Sequence, residues 1–431
     1  MRQAGLRSTT SNGRERAALV GLFSGPSRQF DPEHSLDELA GLAQAAGASV
    51  VLRVLQDRAK PDPATFLGSG KVKTLAASCD EARADVVIFD NELSPAQLRN
   101  LEAELDRKVV DRTQLILDIF ARRARTREGK LQVELAQLKY LLPRLVGAGT
   151  ALSRLGGGIG TRGPGETKLE TDRRRIRHRI SVLSKDIDIV RRRRSQLRER
   201  RHKAAVPTVA LVGYTNAGKT TLFNLLTGDQ ATASDALFVT LDPLVRKVRL
   251  PDRRELLVSD TVGFIDRLPH SLVAAFRATL EEVAASDLLV HVVDASNPER
   301  ERQMAAVRSV LAEVGADSVP AIDVFNKDDK LEDGERARLK ALYPGAIIAS
   351  AATGSGRDEL IAAIESRLAL DTAVVELQFD GTSDADRDRI AQLYRMGRIL
   401  RHESSNGHVS IQAEIPRRVL DRFNDVAVHA S

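Results

Sequence analysis

The sequence predicts an α/β protein with two parallel α/β domains, a long helical segment between them and a small α+β domain at the end. Residues 15–112 and residues 205–370 each alternate short apolar runs with helical patterns, which is typical of a parallel sheet covered by helices. Residues 113–204 keep helical spacing instead, and residues 371–431 combine two strand-like runs with a helix. A chain of 431 residues is too long for one hydrophobic core, and residues 1–14 form a polar lead-in.

The composition excludes several classes of protein. The chain has no apolar run of the ~20 residues that a membrane span needs, and no charged-then-apolar signal pattern. Its single cysteine, Cys79, excludes an internal disulfide and a cysteine-cluster zinc site, and we expect it to be buried on a helix. Aromatic residues make up 4% with no Trp, which argues against a surface that stacks on bases. We therefore expect a cytoplasmic monomer without stable membrane insertion, and leave partial membrane association open.

The first α/β stretch presents its elements in strand–helix order. Ser94 is a favourable helix cap and Pro95 suits the first helical position, so a helix is expected to begin there. The segment Gly68–Lys71 resembles a truncated phosphate-binding loop, but it lacks an upstream glycine and a hydroxyl residue after the lysine. A turn at the start of a helix is therefore favoured. The other predicted elements are strands at Ala17–Phe23, Val50–Leu55 and Asp85–Phe89, and helices that begin near Ser35 and span Lys71–Arg83.

The middle segment has the spacing of two long helices on either side of a glycine-rich stretch, Leu155–Lys168. Apolar residues recur there in steps of mostly three, four or seven, as in coiled coils, and Pro143 is expected to end the first series. The pattern predicts an antiparallel helical hairpin with arms of about 45 Å each. The apolar positions are Leu131, Leu135, Leu138 and Leu142, then Leu169, Ile176, Ile180, Leu183, Ile187, Val190 and Leu197.

Positive charge is concentrated in the second arm of this hairpin. Lys168–Lys203 contains fifteen Lys and Arg against five Asp and Glu, whereas the whole chain has a net charge of +6. A solvated helix face is the alternative, but runs such as RRRIRHR and RRRR exceed what solubility needs, so contact with RNA or another polyanion is favoured. The candidate RNA-binding residues are Arg173, Arg174, Arg175, Arg177, Arg191, Arg192, Arg193 and Arg194.

A phosphate-binding loop opens the second α/β domain. The apolar strand Val209–Val212 leads into GYTNAGKT and then a helix, which is the GxxxxGK[ST] motif in its strand–loop–helix context. The glycines let backbone N–H groups surround phosphates at a helix N-terminus. Lys219 is expected to reach the β- and γ-phosphates, and the Thr220 hydroxyl to bind Mg²⁺. The predicted contacts of this loop are Gly213, Tyr214, Thr215, Asn216, Ala217, Gly218, Lys219, Thr220 and Thr221.

Later motifs indicate which nucleotide binds. Asp260 follows a strand beside the expected metal, and the Gly263 amide is expected at the γ-phosphate. The Asp329 carboxylate can accept two hydrogen bonds from guanine N1–H and the exocyclic amine, a donor pair that adenine lacks. The sequence therefore predicts a P-loop GTPase domain, in which Ser350 and Ala351 provide a backbone contact to guanine O6. The predicted contacts are Asp260, Thr261, Val262, Gly263, Asn326, Lys327, Asp329, Ser350, Ala351 and Ala352.

The sequence LFVTLDP, residues 237–243, is a candidate switch segment. Thr240 can complete the Mg²⁺ shell only when the γ-phosphate is present, so the segment would respond to hydrolysis. Thr221 and Thr232 remain alternatives for this role. The predicted metal set is Thr220, Thr240 and, through a water, Asp260, and the neighbouring nucleotide contacts are Phe238 and Val239.

Two further positions bear on catalysis. Phe264 follows Gly263, where many GTPases have a glutamine that orients the attacking water, and phenylalanine cannot do so. No catalytic side chain is therefore assigned, and we predict slow intrinsic hydrolysis with the water positioned by the backbone at Gly263 and Thr240 or by a partner. Asn216 either stabilises the phosphate loop or helps to hold a K⁺ ion near the phosphates, and both interpretations stay open.

Several longer stretches resemble the HflX-type GTPases of the Obg-HflX group. They include PDPATFLGSGKV, FDNELSPAQLRNLE, GGGIGTRGPGETKLETDRRRIR, GYTNAGKTTLFN and DTVGFIDRLPH, and the similarity covers most of residues 16–370. The resemblance implies a translation-associated GTPase that binds the large (50S) ribosomal subunit and splits stalled or stress-damaged ribosomes. It also implies that the hairpin and its glycine-rich tip contact ribosomal RNA near the peptidyl-transferase centre.

Two alternatives belong to other functional classes. The first is a regulatory GTP-binding module that recruits a protein or a membrane without remodelling anything. The second is an ATP-driven RNA remodeller that uses the N-terminal domain, which depends on little more than Gly68–Lys71. Stimulation of GTP hydrolysis by ribosomal subunits distinguishes the ribosome hypothesis from the first alternative, and ATP hydrolysis that survives a Lys219→Ala change would favour the second.

Overall fold

The computed structural model describes residues 14–24, 32–145, 164–203, 206–229, 237–238, 240, 244–250, 255–266, 282–368, 372–405, 407–416, 420, 423 and 426–430. Most of the lead-in, the glycine-rich stretch as far as residue 163 and Val239 lie outside these residues. The chain divides into two compact units, Met1–Val190 with Asp235–Leu241 and Arg267–Phe276, and Arg191–Ser234 with Asp242–Asp266 and Arg277–Ser431. No described helix is both long and apolar enough to cross a membrane.

The N-terminal part of the first unit is a parallel sheet with helices packed on it, as predicted. The strands are β1 (Arg16–Phe23), β2 (Ser49–Asp57), β3 (Val86–Phe89) and β4 (Lys108–Asp111). The helices are α1 (Pro32–Ala45), α2 (Ser69–Glu81), α3 (Pro95–Leu105) and α4 (Arg112–Arg123). The strand order is β2-β1-β3-β4, and every neighbouring pair is parallel. β1 and β3 are buried almost throughout, as expected of strands covered on both faces.

The helix starts predicted from the sequence follow local chemistry at α3 but not at α1. At α3, Ser94 and Gln97 form the reciprocal capping box, with Pro95 in the first turn as predicted. The segment beginning at Gly68 starts α2, which confirms the turn interpretation, and Cys79 is buried on that helix. The prediction that Ser35 caps α1 was wrong, because α1 begins at Pro32 and the Ser35 hydroxyl donates to the Asp90 carboxylate at 2.7 Å.

A buried carboxylate holds the carboxyl end of β4 to its surroundings. Asp111 is 0% exposed, and its oxygens accept hydrogen bonds from the Gln114 N–H at 2.9 Å, the Tyr140 hydroxyl at 2.7 Å and the Arg144 guanidinium at 3.1 Å. The first of these bonds caps α4. Burial, with the nearby Asp111 charge, raises the pKa of the Tyr140 phenol, which therefore stays protonated and donates. The Asp111 side chain thus connects the end of β4 with α4 and with the helix that carries Tyr140 and Arg144.

The helical hairpin is present but unequal. Its arms are α5 (Arg127–Arg144), with 18 residues, and α6 (Pro164–Lys203), with 40 residues. At 1.5 Å per residue these are about 27 Å and about 60 Å long, so the prediction of equal 45 Å arms was wrong. Leu135, Leu183 and Ile187 form a buried cluster, and the Arg179 guanidinium pairs with both oxygens of Glu134. α5 ends at Arg144, one residue after Pro143, close to where the sequence predicts the end of the run.

The second α/β part has a six-stranded sheet in the order β10-β9-β8-β5-β7-β6. All its neighbouring pairs are parallel except the edge pair of β6 with β7. The strands are β5 (Thr208–Gly213), β6 (Leu244–Arg249), β7 (Glu255–Asp260), β8 (Leu288–Asp294), β9 (Ala321–Asn326) and β10 (Ile347–Ile348). The helices are α7 (Lys219–Thr227), α8 (Arg300–Glu313), α9 (Glu335–Leu342) and α10 (Arg357–Arg367).

The C-terminal part is an antiparallel sheet with a helix packed on one face. The strands are β11 (Thr372–Asp380), β12 (Arg398–Ser405), β13 (His408–Pro416) and β14 (Ala427–Ala430), and the helix is α11 (Asp384–Met396). The order β12-β13-β11-β14 with antiparallel neighbours is that of a split βαβ arrangement. β11 and β13 alternate buried and exposed residues and were predicted, whereas β12 is mostly exposed and was missed.

Candidate nucleotide-binding site

Two glycines make the phosphate loop possible. β5 ends at Gly213 and α7 begins at Lys219, so the loop lies where a strand passes into a helix. A Cβ on Gly213 would stand 2.2 Å from the Val292 carbonyl oxygen, and a Cβ on Gly218 would stand 2.2 Å from the Asn326 amide nitrogen. Both glycines have positive φ angles, 152° and 92°. Any side chain at either position would therefore push the loop off its neighbours.

Lys219 is the buried cation of this loop. Its ammonium group donates to the carbonyl oxygens of Gly213 at 3.0 Å and Tyr214 at 2.7 Å. Burial lowers the pKa of Lys219 to about 8, which the Asp260 carboxylate opposes and the Lys327 charge reinforces. The side chain is folded back on the loop that is predicted to bind phosphates, and it carries a charge that a phosphate would stabilise.

The two predicted metal ligands of the strand ends lie together. β5 and β7 are parallel neighbours, so the start of α7 and the end of β7 meet at one edge of the sheet. The Thr220 hydroxyl donates to the buried Asp260 carboxylate at 2.8 Å, and the Thr261 hydroxyl donates to the Leu211 carbonyl oxygen at 2.6 Å. A hydroxyl and a carboxylate are hard oxygen donors, which fits Mg²⁺ bound jointly by protein and phosphate oxygens. No cluster of three or more His, Cys, Asp or Glu suited to a metal occurs in the described part.

The loop that follows β7 runs beside the phosphate loop and is joined to it by backbone hydrogen bonds. The Phe264 N–H donates to the Gly213 carbonyl oxygen at 3.1 Å, and the Thr215 N–H donates to the Phe264 carbonyl oxygen at 2.7 Å. The Phe264 ring is only 2% exposed. A Cβ on Gly263 would stand 2.8 Å from the Thr215 methyl carbon and 3.1 Å from the Lys219 ammonium. The Phe264 ring is thus packed into protein, as a residue with no role in orienting water would be.

Asn326 joins the phosphate loop to the predicted base-binding loops. It ends β9, and its side-chain amide donates to the Ala217 carbonyl oxygen at 2.8 Å. Its side-chain oxygen accepts the Ala351 N–H at 2.9 Å. The Asp328 N–H donates to the Ala349 carbonyl oxygen at 3.1 Å, which adds a second tie between the two base loops.

The residues predicted to contact guanine are arranged around this amide. The Ser350 hydroxyl donates to the Asp329 carboxylate, which fixes one of its oxygens and leaves the second for a base. Lys327 has a left-handed backbone with φ 68° and pairs with the Asp294 carboxylate at 2.7 Å. Asn326, Asp329 and the Ser350 loop are therefore brought together in the way that the sequence predicts. Ala352 follows in the same turn.

Asp294 and Asp266 are two residues that the sequence interpretation missed. Asp294 ends β8 beside β9, so its place at a strand end next to the NKDD sequence was a usable signal. The Asp266 N–H donates to the Tyr214 hydroxyl at 2.7 Å, and its carboxylate pairs with Arg302 of α8. No sequence signal marks that second set of contacts, because they join positions far apart in the chain.

The switch segment is described at Leu237, Phe238 and Thr240. The Phe238 ring packs edge-on against Phe120 of α4 with centroids 4.7 Å apart, and both residues belong to the first unit. Asn216 is exposed in the phosphate loop with a left-handed φ of 61°. The metal role of Thr240 and the potassium interpretation of Asn216 stay predictions.

The candidate RNA-binding arginines lie along α6. Arg174, Arg192 and Arg193 have exposed side chains, while the side chain of Arg194 lies outside the described set. Glu170 is 3.6 Å from Arg173 and 3.8 Å from Arg177, and Asp172 is 3.9 Å from Arg175. Ion pairs this long and this exposed contribute little stability, so they leave the arginines available to other anions.

A phosphate loop after the first central strand, a Thr–Asp pair at the predicted metal position and a carboxylate in the predicted base loop are the features of a P-loop GTPase. The comparisons place it more narrowly. Three family models match: "GTP-binding GTPase N-terminal" over residues 33–121, "GTP-binding GTPase Middle Region" over 123–201 and "50S ribosome-binding GTPase" over 208–327.

Curated relatives agree over nearly the whole chain. GTPase HflX of Escherichia coli is 45% identical over 93% of this chain and 94% of its own, and GTPase HflX of Caldanaerobacter subterraneus is 45% identical over 96% and 94%. A GTP-binding protein from Sulfolobus solfataricus, solved with GDP, aligns with a TM-score of 0.43 and 26% identity, covering 82% of this chain and 98% of that one. The chain belongs to the HflX family of GTPases, and GTP hydrolysis is its reaction.

Proposed function

We propose that the protein is a GTP-dependent factor that binds the large ribosomal subunit and separates or rescues stalled ribosomes. The match of residues 208–327 to the 50S ribosome-binding GTPases supports the choice of partner. The observation that carries the proposal is the surplus of exposed positive charge on α6, in a chain that also has a guanine-nucleotide site. A switch domain coupled to an RNA-binding arm is what such a factor needs.

The arm is suited to the phosphate backbone of RNA. Arg174, Arg192 and Arg193 are exposed, and the ion pairs of Arg173 and Arg175 with carboxylates are long enough, 3.6 and 3.9 Å, for a phosphate to compete with them. Affinity for nucleic acid comes largely from such contacts, through the release of counterions. Because the chain has few aromatic residues and no Trp, we infer contact with phosphates rather than stacking on bases.

The nucleotide site supports a Mg²⁺-dependent reaction. Thr220 and Asp260 would hold the ion together with phosphate oxygens, and Thr240 would join them only in the GTP state. When bound, Mg²⁺ neutralises charge that develops on the phosphate oxygens during transfer. Lys219 adds a second positive charge at the same phosphates, and the N–H groups of the phosphate loop hold the nucleotide in line with the attacking water.

We infer that the protein alone hydrolyses GTP slowly. Phe264 has no group that could orient water, and its ring is packed into protein. The backbone next to it pairs with the phosphate loop, so water must be positioned by main-chain groups or by the partner. Binding of the ribosomal subunit is therefore expected to raise the hydrolysis rate.

Sedimentation of ribosomes with the protein tests the proposal. Dissociation of subunits with a non-hydrolysable GTP analogue, but not with GDP, would mean that binding energy drives separation and hydrolysis drives release. No binding to the large subunit in any nucleotide state, or no stimulation of GTP turnover by it, would contradict the proposal. Recruitment to another protein or to vesicles under those conditions would instead favour a regulatory binding module.

A charge-matched pair of variants isolates the arm. Replacing Arg174, Arg192 and Arg193 by Ala should weaken subunit binding and make the slope of log affinity against log salt shallower by about 2 to 3. The control variant removes three exposed arginines that lie outside α6, Arg249, Arg308 and Arg387. Equal losses in the two triple variants would mean that net charge, and not α6, drives binding.

A further inference from the structure

Thr215, the third residue of the phosphate loop, carries a buried hydroxyl group without a partner. The residue is 7% exposed, and its Oγ1 atom has no hydrogen-bond partner among the described residues. Buried polar groups are nearly always hydrogen-bonded, and one that is not calls for an explanation. Two other threonines of this site satisfy that rule, because the Thr220 hydroxyl donates to Asp260 at 2.8 Å and the Thr261 hydroxyl to Leu211 at 2.6 Å.

The hydroxyl of Thr215 is not needed to hold the loop. The Thr215 N–H already donates to the Phe264 carbonyl oxygen at 2.7 Å, which fixes the backbone against the loop after β7. The Thr215 methyl carbon makes the contact with Gly263. A valine has the same shape and would pack there without burying an unsatisfied donor. The hydroxyl therefore has a use that packing does not explain.

Its position indicates that use. A Cβ on Gly263 would stand 2.8 Å from the Thr215 methyl carbon, 3.0 Å from the Thr215 Cα and 3.1 Å from the Lys219 ammonium. Gly263 and Lys219 are the two groups predicted to contact the γ-phosphate. The hydroxyl is attached to the same carbon as the methyl group, so it lies within a side chain's length of both.

We propose that the Thr215 hydroxyl donates a hydrogen bond to a γ-phosphate oxygen and is a catalytic group of this GTPase. The inference rests on the nucleotide site described above and assigns a further residue to it. The hydroxyl is buried in this structure, next to the backbone pairing of Thr215 with Phe264, so the contact with a γ-phosphate requires it to be uncovered when GTP binds. GDP has no γ-phosphate to receive it, so the bond belongs to the GTP state alone. The hydrogen bond stabilises the negative charge that develops on the γ-phosphate oxygens, which the Phe264 side chain cannot do.

Two substitutions separate this role from a structural one. Thr215→Val keeps the shape and removes the hydroxyl, and Thr215→Ser keeps the hydroxyl and removes the methyl group. With the full-length protein, we expect Thr215→Val to lower the single-turnover rate of GTP hydrolysis about tenfold while GDP affinity stays within about twofold. Thr215→Ser should restore most of the rate. Thr227→Val, at the end of the helix that follows the phosphate loop, has its hydroxyl bonded to the Phe223 carbonyl oxygen; it is the matched control and should leave both quantities unchanged.

The outcomes are exclusive. A Thr215→Val rate equal to wild type would overturn the proposal and leave the hydroxyl satisfied by water alone. Parallel losses of GDP and GTP binding, or a Thr215→Ser variant as slow as Thr215→Val, would show a structural role and also overturn it. Because hydrolysis is measured without ribosomes, the result does not depend on the ribosomal partner. If the protein does not bind ribosomes, the proposed function is refuted, but the proposed role of the Thr215 hydroxyl is not affected.

Discussion

Raising the pH from about 7 to about 9 should weaken the binding of GDP and GTP by about tenfold. The cause is Lys219. Burial lowers the pKa of this lysine to about 8 in the site without nucleotide, whereas the pKa of an ordinary lysine is 10.5. Nucleotide phosphates placed against the ammonium group would keep it protonated throughout this range. Above the pKa of the empty site, binding must therefore take up a proton, and affinity falls as pH rises.

The size of the effect follows from that one pKa. If only the protonated lysine binds, the apparent Kd is multiplied by a factor of about 1.1 at pH 7, about 2 at pH 8 and about 11 at pH 9. Above pH 8 the plot of log Kd against pH should approach a slope of one, which is a single proton. The pKa of Lys219 in the free protein is the point at which the plot bends.

Titration of a fluorescent GDP analogue across this range, in buffers of constant ionic strength, measures the effect. Lys219→Gln provides the control. This variant should bind more weakly, and its plot of log Kd against pH should show no bend near pH 8. A wild-type Kd that stays constant from about pH 7 to about pH 9 would refute the reasoning. The same loss in Lys219→Gln would refute it too, because some other group would then be responsible.

Four further predictions follow from the site and the fold. Asp329→Asn should weaken GTP binding by at least about 100-fold and favour xanthosine triphosphate, whose 2-oxo group accepts the amide's hydrogen bond, as competition assays would show. Gly218→Ala should abolish nucleotide binding, because its Cβ would collide with the Asn326 amide. Asp111→Ala should lower the free energy of unfolding by about 3 kcal/mol or more in urea titrations, because it removes the buried carboxylate that pairs with Arg144 and accepts the Tyr140 hydroxyl. If Asn216 helps to hold K⁺, turnover should be faster in K⁺ than in Na⁺ buffer.

Two of these predictions have a stated result that would contradict them, and the stability prediction has a control variant. An Asp329→Asn variant that loses GTP and xanthosine triphosphate equally would point to a misfolded base loop. Asp37→Ala, which breaks an exposed ion pair with Arg53, is the stability control and should cost less than about 1 kcal/mol. Equal turnover in K⁺ and Na⁺ would leave Asn216 as a residue that only stabilises its loop.

The parts of the fold that sequence predicts well are those set by short-range chemistry. The capping Ser94 and the buried strand β3 are set by residues within a few positions, and the glycines of the phosphate loop are recognised from the spacing of their motif. The edge strands β6 and β12 were missed because they are partly or mostly exposed, which weakens their apolar signal. The unequal arms of the hairpin were also missed, since a helical repeat gives the helix type but not the residue at which it stops.

The site divides in the same way. Lys219, Thr220 and Asp260 follow from motif and context, and the structure brings them together. The tie between Ser350 and Asp329 and the unpartnered hydroxyl of Thr215 arise from contacts between distant segments, which one sequence cannot reveal. Ser35 shows the opposite error, because a good local capping residue was used instead for a long-range bond to Asp90.

The Asn326 side chain has a consequence for how nucleotide leaves. One amide holds the Ala217 carbonyl oxygen of the phosphate loop and the Ala351 N–H of the base loop. The phosphate-binding and base-binding loops are therefore connected through the side chain of one residue. A partner that pulls the Ala351 loop away from the base also withdraws support from the phosphates without reaching them. We therefore expect release of GDP to begin at the guanine, without a prior change at the predicted Mg²⁺ ligands or the switch segment.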